Sequence, residues 1–351
     1  MEKYLPLKIN CSITTECWSF YRFAIIEAYP NLTNWTIQHY NHLFADEHLE
    51  LFYGVNGQKY DQYNCYSPVL NIKGLFREEI LPEQLVPFIK RQIDKGIYVL
   101  VECEYGYLRD KLPGYIHEIL VCGYDDDRQA FQSPILDGLK WNIAYITYND
   151  LEVAYSILDD ISLDCLSENL YRREYLMPIT LITANTQYNV DYNLCSFYKD
   201  VMYICSESYK VHKTFIDELE HGKSFHGYWS CYNALLTVSN NILNDEKYYS
   251  TEYQYALYIK KLYDYRTKLQ KDLSTLIKFF NISFDSKLTA MGKDIVKMLN
   301  ICYMTAIKYN ITKDKQCIKN IAETLYLAFY KEKEILLALF DTLCSHLIKL
   351  K

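Results

Sequence analysis

Residues 179–351 contain no proline; all eight prolines of this 351-residue chain, from Pro6 to Pro178, precede them. A proline inside a helix removes a hydrogen bond and clashes with the preceding turn, costing about 3 kcal/mol or more. A stretch this long without one is open to long helices, and its apolar pattern has their period. Tyr255, Tyr258, Ile259, Leu262, Leu269, Leu273, Leu276, Ile277 and Phe280 recur every three to four residues. Ile318, Ile321, Leu325, Phe329, Leu336, Phe340, Leu343 and Leu347 repeat the spacing near the end. Ser283 with Asp285, and Thr312 with Asp314, supply N-cap chemistry between helices. Charge changes at the same place. Residues 1–180 carry 15 Lys+Arg against 26 Asp+Glu, net -11, whereas residues 181–351 carry 22 against 18, net +4. A boundary between about 176 and 195 follows, with an all-α domain over 181–351 after a different kind of domain over 1–180.

The first domain mixes elements. The pattern predicts a helix over 16–28 that ends at Tyr29-Pro30, and a second over 82–94 with proline in its first turn and Lys95-Gly96 at its end. Strands are predicted over 97–103, 116–124, 129–132 and 140–147, with Asp125-Asp126-Asp127 as a turn, then a helix over 149–158. An early helix followed by antiparallel strands is an α+β layout.

Composition excludes several classes. Half of the residues are hydrophobic and 23% are charged, which is too apolar for a disordered chain. A net charge of -7 argues against a general nucleic-acid binder. The start MEKYLPLKIN lacks an apolar core of signal-peptide length, and no run approaches a membrane span, so a soluble cytoplasmic protein is expected. Twelve cysteines without a CxxC pair read mostly as reduced core residues rather than disulfides or a zinc site. No phosphate-binding glycine loop or dinucleotide fingerprint occurs, so no bound cofactor is expected. His39, His42 and His48 with Asp46 and Glu47 read as a solvated helix end and loop rather than a metal site, and His221 and His226 carry no assignment.

Two motifs carry chemistry. Cys17-Trp18-Ser19-Phe20 opens the first helix, where backbone N–H groups and the positive helix end favour a thiolate. Tyr115 to Asp126 places His117 at the start of an apolar strand that ends in Gly123-Tyr124-Asp125. An imidazole paired with Cys17 takes the thiol proton and later serves an attacking amine. A third residue about sixteen positions on would orient that imidazole; Ser133 fills the slot, with Gln132 and Asp137 as alternatives. Cys11 is the rival nucleophile, since it also precedes the helix.

Cys-Trp-Ser-Phe at a helix start resembles the papain-type nucleophile, and the His strand ending in Gly-Tyr-Asp resembles the papain-like C39 peptidases. The closer resemblance, over roughly residues 8–160, is to the butirosin biosynthesis protein H family. It rests on Val99-Leu100-Val101-Glu102 with Tyr105 and Tyr107, the His117 strand and its β return, and a short helix ending in Ala154-Tyr155. Amide synthetases of the closthioamide type look similar in kind. The resemblance implies a papain-like N-terminal domain with Cys17, His117 and Ser133 as catalytic residues. The family's oxyanion glutamine falls here on Cys11, so Asn10 or the Cys17 backbone N–H is left for that role. Glu102 and Glu104 read either as a polar strand end or as acceptor-binding carboxylates.

The function the resemblance implies is acyl transfer in natural-product biosynthesis, including nonribosomal-peptide-like pathways. An acyl group would pass from the phosphopantetheine thioester of an acyl or peptidyl carrier protein, through Cys17, to an amine. No nucleic acid or membrane partner is expected. The basic second domain suits an acidic carrier, with Lys260, Lys261, Arg266, Lys268 and Lys271 as docking candidates against a plain solvated helix face. The rivals are a cysteine peptidase or thioesterase using the same residues, and a non-catalytic papain-fold scaffold.

Overall fold

The computed structural model describes residues 1–39, 42–46, 49–55, 58–59, 66–109, 115–137, 140–160, 177–189, 191–205, 225–226, 228–244 and 252–349. The elements run in chain order as follows. Strand β1 is Glu2–Tyr4, and helices α1 (Cys17–Ile26) and α2 (Pro30–His39) precede β2 (His42–Asp46), β3 (Leu51–Val55), β4 (Gln58–Lys59) and β5 (Leu70–Leu75). Helix α3 (Leu85–Asp94), strand β6 (Tyr98–Glu104) and the short α4 (Tyr105–Arg109) lead to β7 (Ile116–Val121) and β8 (Gly123–Asp125). Strands β9 (Ala130–Asp137) and β10 (Lys140–Thr147), helix α5 (Tyr148–Ser156) and strand β11 (Ile179–Ala184) follow. The rest is helical: α6 (Leu194–Cys205), α7 (Tyr228–Leu243) after the two-residue β12 (Phe225–His226), α8 (Glu252–Phe279), α9 (Ser286–Thr312) and α10 (Lys315–Lys349). The architecture is α+β.

The chain forms two units, each assembled from separated stretches. The first comprises Met1–Cys11, Phe20–Thr33 and Gln62–Asn189; the second comprises Ser12–Ser19, Asn34–Asp61 and Val190–Lys351. A boundary near 190 agrees with the shift in charge and proline content. The transfer of residues 12–19 and 34–61 to the helical unit is not visible in composition, because it depends on partners more than a hundred residues away.

In the first unit two antiparallel sheets, ordered β5-β11-β6-β7 and β1-β8-β9-β10, carry the His117 strand and its return. Every residue of β6 is buried, and its apolar part, Tyr98–Val101, is held between β11 and β7. Residues 181–184, placed at the start of the helical domain by the sequence, instead belong to β11 and complete the first unit's sheet, where Ile179 pairs with both Leu75 and Val101. Phe20 to Ile26 are all buried, Arg22 included, so this part of α1 is enclosed all round rather than on one stripe. The Phe20 ring stacks on Trp141 of β10 at 3.7 Å and 5°. Gly96 ends α3 with φ +79°, the left-handed conformation that glycine adopts at low cost. Thr147 caps α5 by accepting from the Asp150 N–H at 3.0 Å.

In the second unit the proline-free stretch forms helices of 28, 27 and 35 residues. Asp285 caps α9 through the Lys287 N–H at 2.7 Å, and Asp314 accepts from Gln316 at 2.9 Å at the start of α10. This unit is not all-α, since β12-β2-β3-β4 forms a small antiparallel sheet inside it. No helix among the described residues is long and apolar enough to cross a membrane.

Candidate active site

Cys17 is the first residue of α1, half-buried, where the N–H groups of the first turn have no helical partners. The three residues before it are each tied down by a side chain within the second unit. Thr14 donates to Asp264 of α8 at 2.9 Å, and Lys260 approaches the same hydroxyl at 3.4 Å while pairing with Asp264. Thr15 shares a 2.9 Å hydrogen bond with the Tyr53 hydroxyl, which donates to the Lys261 carbonyl at 3.0 Å. Glu16 accepts from Lys261 Nζ at 2.6 Å and from the Ser19 hydroxyl at 3.2 Å. Burial raises the Asp264 carboxyl, with Lys260 and Thr14 pulling it back. These contacts hold the start of the helix, and so the thiol, in one place.

None of the ten described cysteines is in a disulfide. Burial pushes the Cys122, Cys205 and Cys302 thiols up to about 12 and lifts Cys103 and Cys231 well above the usual thiol range. Such thiols are poor nucleophiles at neutral pH. Cys11, the rival nucleophile, is buried with its sulfur 4.0 Å from the Phe20 carbonyl, whereas Asn10 beside it is exposed. Both belong to the first unit.

His117 lies in the first unit, near the start of β7 and opposite Cys103 of β6. Its ring is packed between Tyr105 and Tyr115, with centroids 5.5 and 5.6 Å away. Its Nδ1 is 2.9 Å from Oε2 of Glu118, whose side chain is only 4% exposed. Successive strand residues start on opposite faces, so this contact wraps the strand. A carboxylate only accepts, so in this pairing Nδ1 is the donor. That is the orienting arrangement predicted for Ser133, supplied here by the residue next to the histidine. The available signal was a lone acidic residue in the apolar run Ile116-His117-Glu118-Ile119-Leu120-Val121. Glu118 also faces Glu102 directly across the β6–β7 pair, and both are buried. The second carboxylate oxygen of Glu118 has no hydrogen-bond partner.

The return strand does not deliver the predicted orienter. Ser133 is fully buried on β9 opposite Ala144, and its hydroxyl makes no hydrogen bond. Gln132 donates to Glu2 at 2.8 Å, and Asp137 is exposed at the strand end. Counting sixteen positions locates a strand but not the face on which a side chain emerges. Glu104 is likewise committed, since its two oxygens accept the Tyr107 N–H at 2.7 Å and the Tyr115 N–H at 2.6 Å. It staples α4 to the residue that opens the His117 strand.

The cations proposed for carrier docking are corrected by their burial. Lys261, Arg266 and Lys268 are 6%, 0% and 4% exposed, and they pair with Glu16, Glu332 and Asp272. Lys260 is paired with Asp264, which leaves Lys271 as the exposed member of the five. Their positions between apolar residues meant burial, not a solvated face. Among the described residues no group of three or more His, Cys, Asp or Glu is arranged to hold a metal. His39 rests against Trp35 at 5.3 Å, only the backbone of His42, Asp46 and His226 is described, and Glu47, His48 and His221 lie outside the described residues. No family model and no curated protein matches this chain.

Proposed function

We propose that this chain is a cysteine-dependent acyltransferase that makes an amide, with a papain-like N-terminal part. The observation that carries the reading is Cys17, a half-buried thiol at the first position of a helix whose approach is fixed by Thr14, Thr15 and Glu16. In the first step the Cys17 thiolate attacks the carbonyl of a carrier-bound pantetheine thioester. The carbonyl carbon–sulfur bond to pantetheine breaks, a new one to Cys17 forms, and the released pantetheine thiolate takes up a proton. One thioester replaces another, so no nucleotide is consumed. In the second step a neutral amine attacks the acyl-enzyme, an amide forms, and the Cys17 thiol is regenerated. His117 is the base of this reading. Glu118 on Nδ1 supports it, since a carboxylate there stabilises the imidazolium that forms when His117 takes up a proton. Amine must outcompete water at the thioester, which requires a water-poor site.

The same two residues serve a hydrolase, so the test is product identity. The protein is mixed with acyl-carrier thioesters and a panel of amines, and products are resolved by mass. Amide formation that depends on both Cys17 and the amine supports the proposal. Free acid at an unchanged rate with or without amine makes the protein a thioesterase. Cleavage of a leader peptide without a pantetheine arm makes it a peptidase, and no turnover with any donor leaves a scaffold.

A further inference from the structure

Lys261 and Glu16 are 245 residues apart in sequence and form a nearly buried pair beside the candidate nucleophile, their side chains 8% and 13% exposed. We propose that Lys261 of α8 is a positioning residue for Cys17, acting through Glu16. The inference rests on the assignment of Cys17 as the nucleophile. The ammonium is fixed twice, by Glu16 at 2.6 Å and by the Leu51 carbonyl at 2.7 Å, and the backbone carbonyl of Lys261 receives the Tyr53 hydroxyl. The carboxylate in turn spans the helix start, since its other oxygen accepts from Ser19, three residues on. Cys17 lies between the two ends of that bridge. A surface ion pair would matter little, but breaking a buried one leaves its partner charged and uncompensated. Here the uncompensated charge would adjoin the thiol.

Among the described residues of this unit, the segment meets two ion pairs, Glu16–Lys261 and Lys260–Asp264, while burial keeps the Tyr53 phenol protonated. The two members of the Glu16–Lys261 pair therefore act on Cys17 with opposite signs. Without Lys261 the Glu16 carboxylate disfavours a neighbouring thiolate; without Glu16 the ammonium favours it. A role confined to holding the helix start would lower reactivity in both cases.

The test is the pH dependence of Cys17 alkylation by iodoacetamide, mapped to its peptide, in the full-length chain. Lys261→Met should move the midpoint up by about one unit, a roughly tenfold slower reaction near pH 7, and Lys261→Arg should restore it. Glu16→Gln should move the midpoint down, and the Glu16→Gln/Lys261→Met double variant should return it toward wild type. If Lys261→Met does not fold, the downward shift of Glu16→Gln decides alone. Midpoints that move together in both single variants, or that do not move at all, overturn the proposal. Alkylation needs no acyl donor, so the two readings fail separately. Opposite shifts without any acylation would refute the acyltransferase reading alone, and acylation without those shifts would refute the positioning role alone.

Discussion

Arg266 and Glu332 are both fully buried in the helical unit, joined by Nε and Oε2 at 2.5 Å. The pairing is incomplete, because Arg266 Nη2 and Glu332 Oε1 have no hydrogen-bond partners. Truncating one member strands the other charge, which costs about 3–5 kcal/mol, whereas replacing both with apolar residues of similar volume is often neutral or stabilising. Arg266→Met should therefore lower stability by about 3–5 kcal/mol, or roughly 6–20 °C in Tm at 2–4 °C per kcal/mol for a unit of this size. Arg266→Met/Glu332→Leu should recover most of that loss. The pH dependence has a fixed sign. Burial raises the Glu332 carboxyl even with the guanidinium beside it, and removing Arg266 raises it further. A carboxyl with a raised pKa in the folded state stabilises that state below its unfolded value, and this is lost as pH rises through the folded pKa. The defect of Arg266→Met should thus be small in acid and grow toward neutral pH. Urea unfolding of wild type, single and double variants at pH 5 and pH 8 measures all of this. A single variant as stable as wild type, or a double variant no better than the single, would refute the reasoning.

Two further outcomes follow from the first unit. Glu118→Gln should slow acyl transfer by less than His117→Ala, for which about 10²–10⁴-fold is expected, whereas Ser133→Ala should leave the rate unchanged because its hydroxyl bonds to nothing; single-turnover acylation compares the three. Glu104→Ala removes two carboxylate-to-backbone hydrogen bonds at about 1.5–3 kcal/mol each, and hydrogen exchange should show α4 and Tyr115 losing protection before the rest of the sheet.

What was legible in the sequence was what depends on near neighbours. The missing prolines and the three-to-four period located the long helices, Asp285 and Asp314 marked their starts, and Gly96 ended α3. The strand over 140–147 matched residue for residue. What was not legible depends on distant partners. Glu16 and Thr14 find Lys261 and Asp264 some 245 and 250 residues away, so the Cys17 segment reads locally as the start of one domain while belonging to the other unit. A cationic row on α8 looks solvated until Arg266 and Lys268 are seen to be buried with their own carboxylates. Ser133 was found by counting, but strand alternation and sheet register decide which side chain reaches an imidazole, and Glu118 does.

The most direct test of the central claim is the intact mass of the protein after mixing with an acyl-carrier thioester and no amine, followed by peptide mapping of the adduct. The expected result is a gain equal to one acyl group, carried on the Cys17 peptide and discharged when amine is added, with Cys11→Ala still acylated and Cys17→Ala not. An adduct that persists in Cys17→Ala and disappears in Cys11→Ala would contradict it.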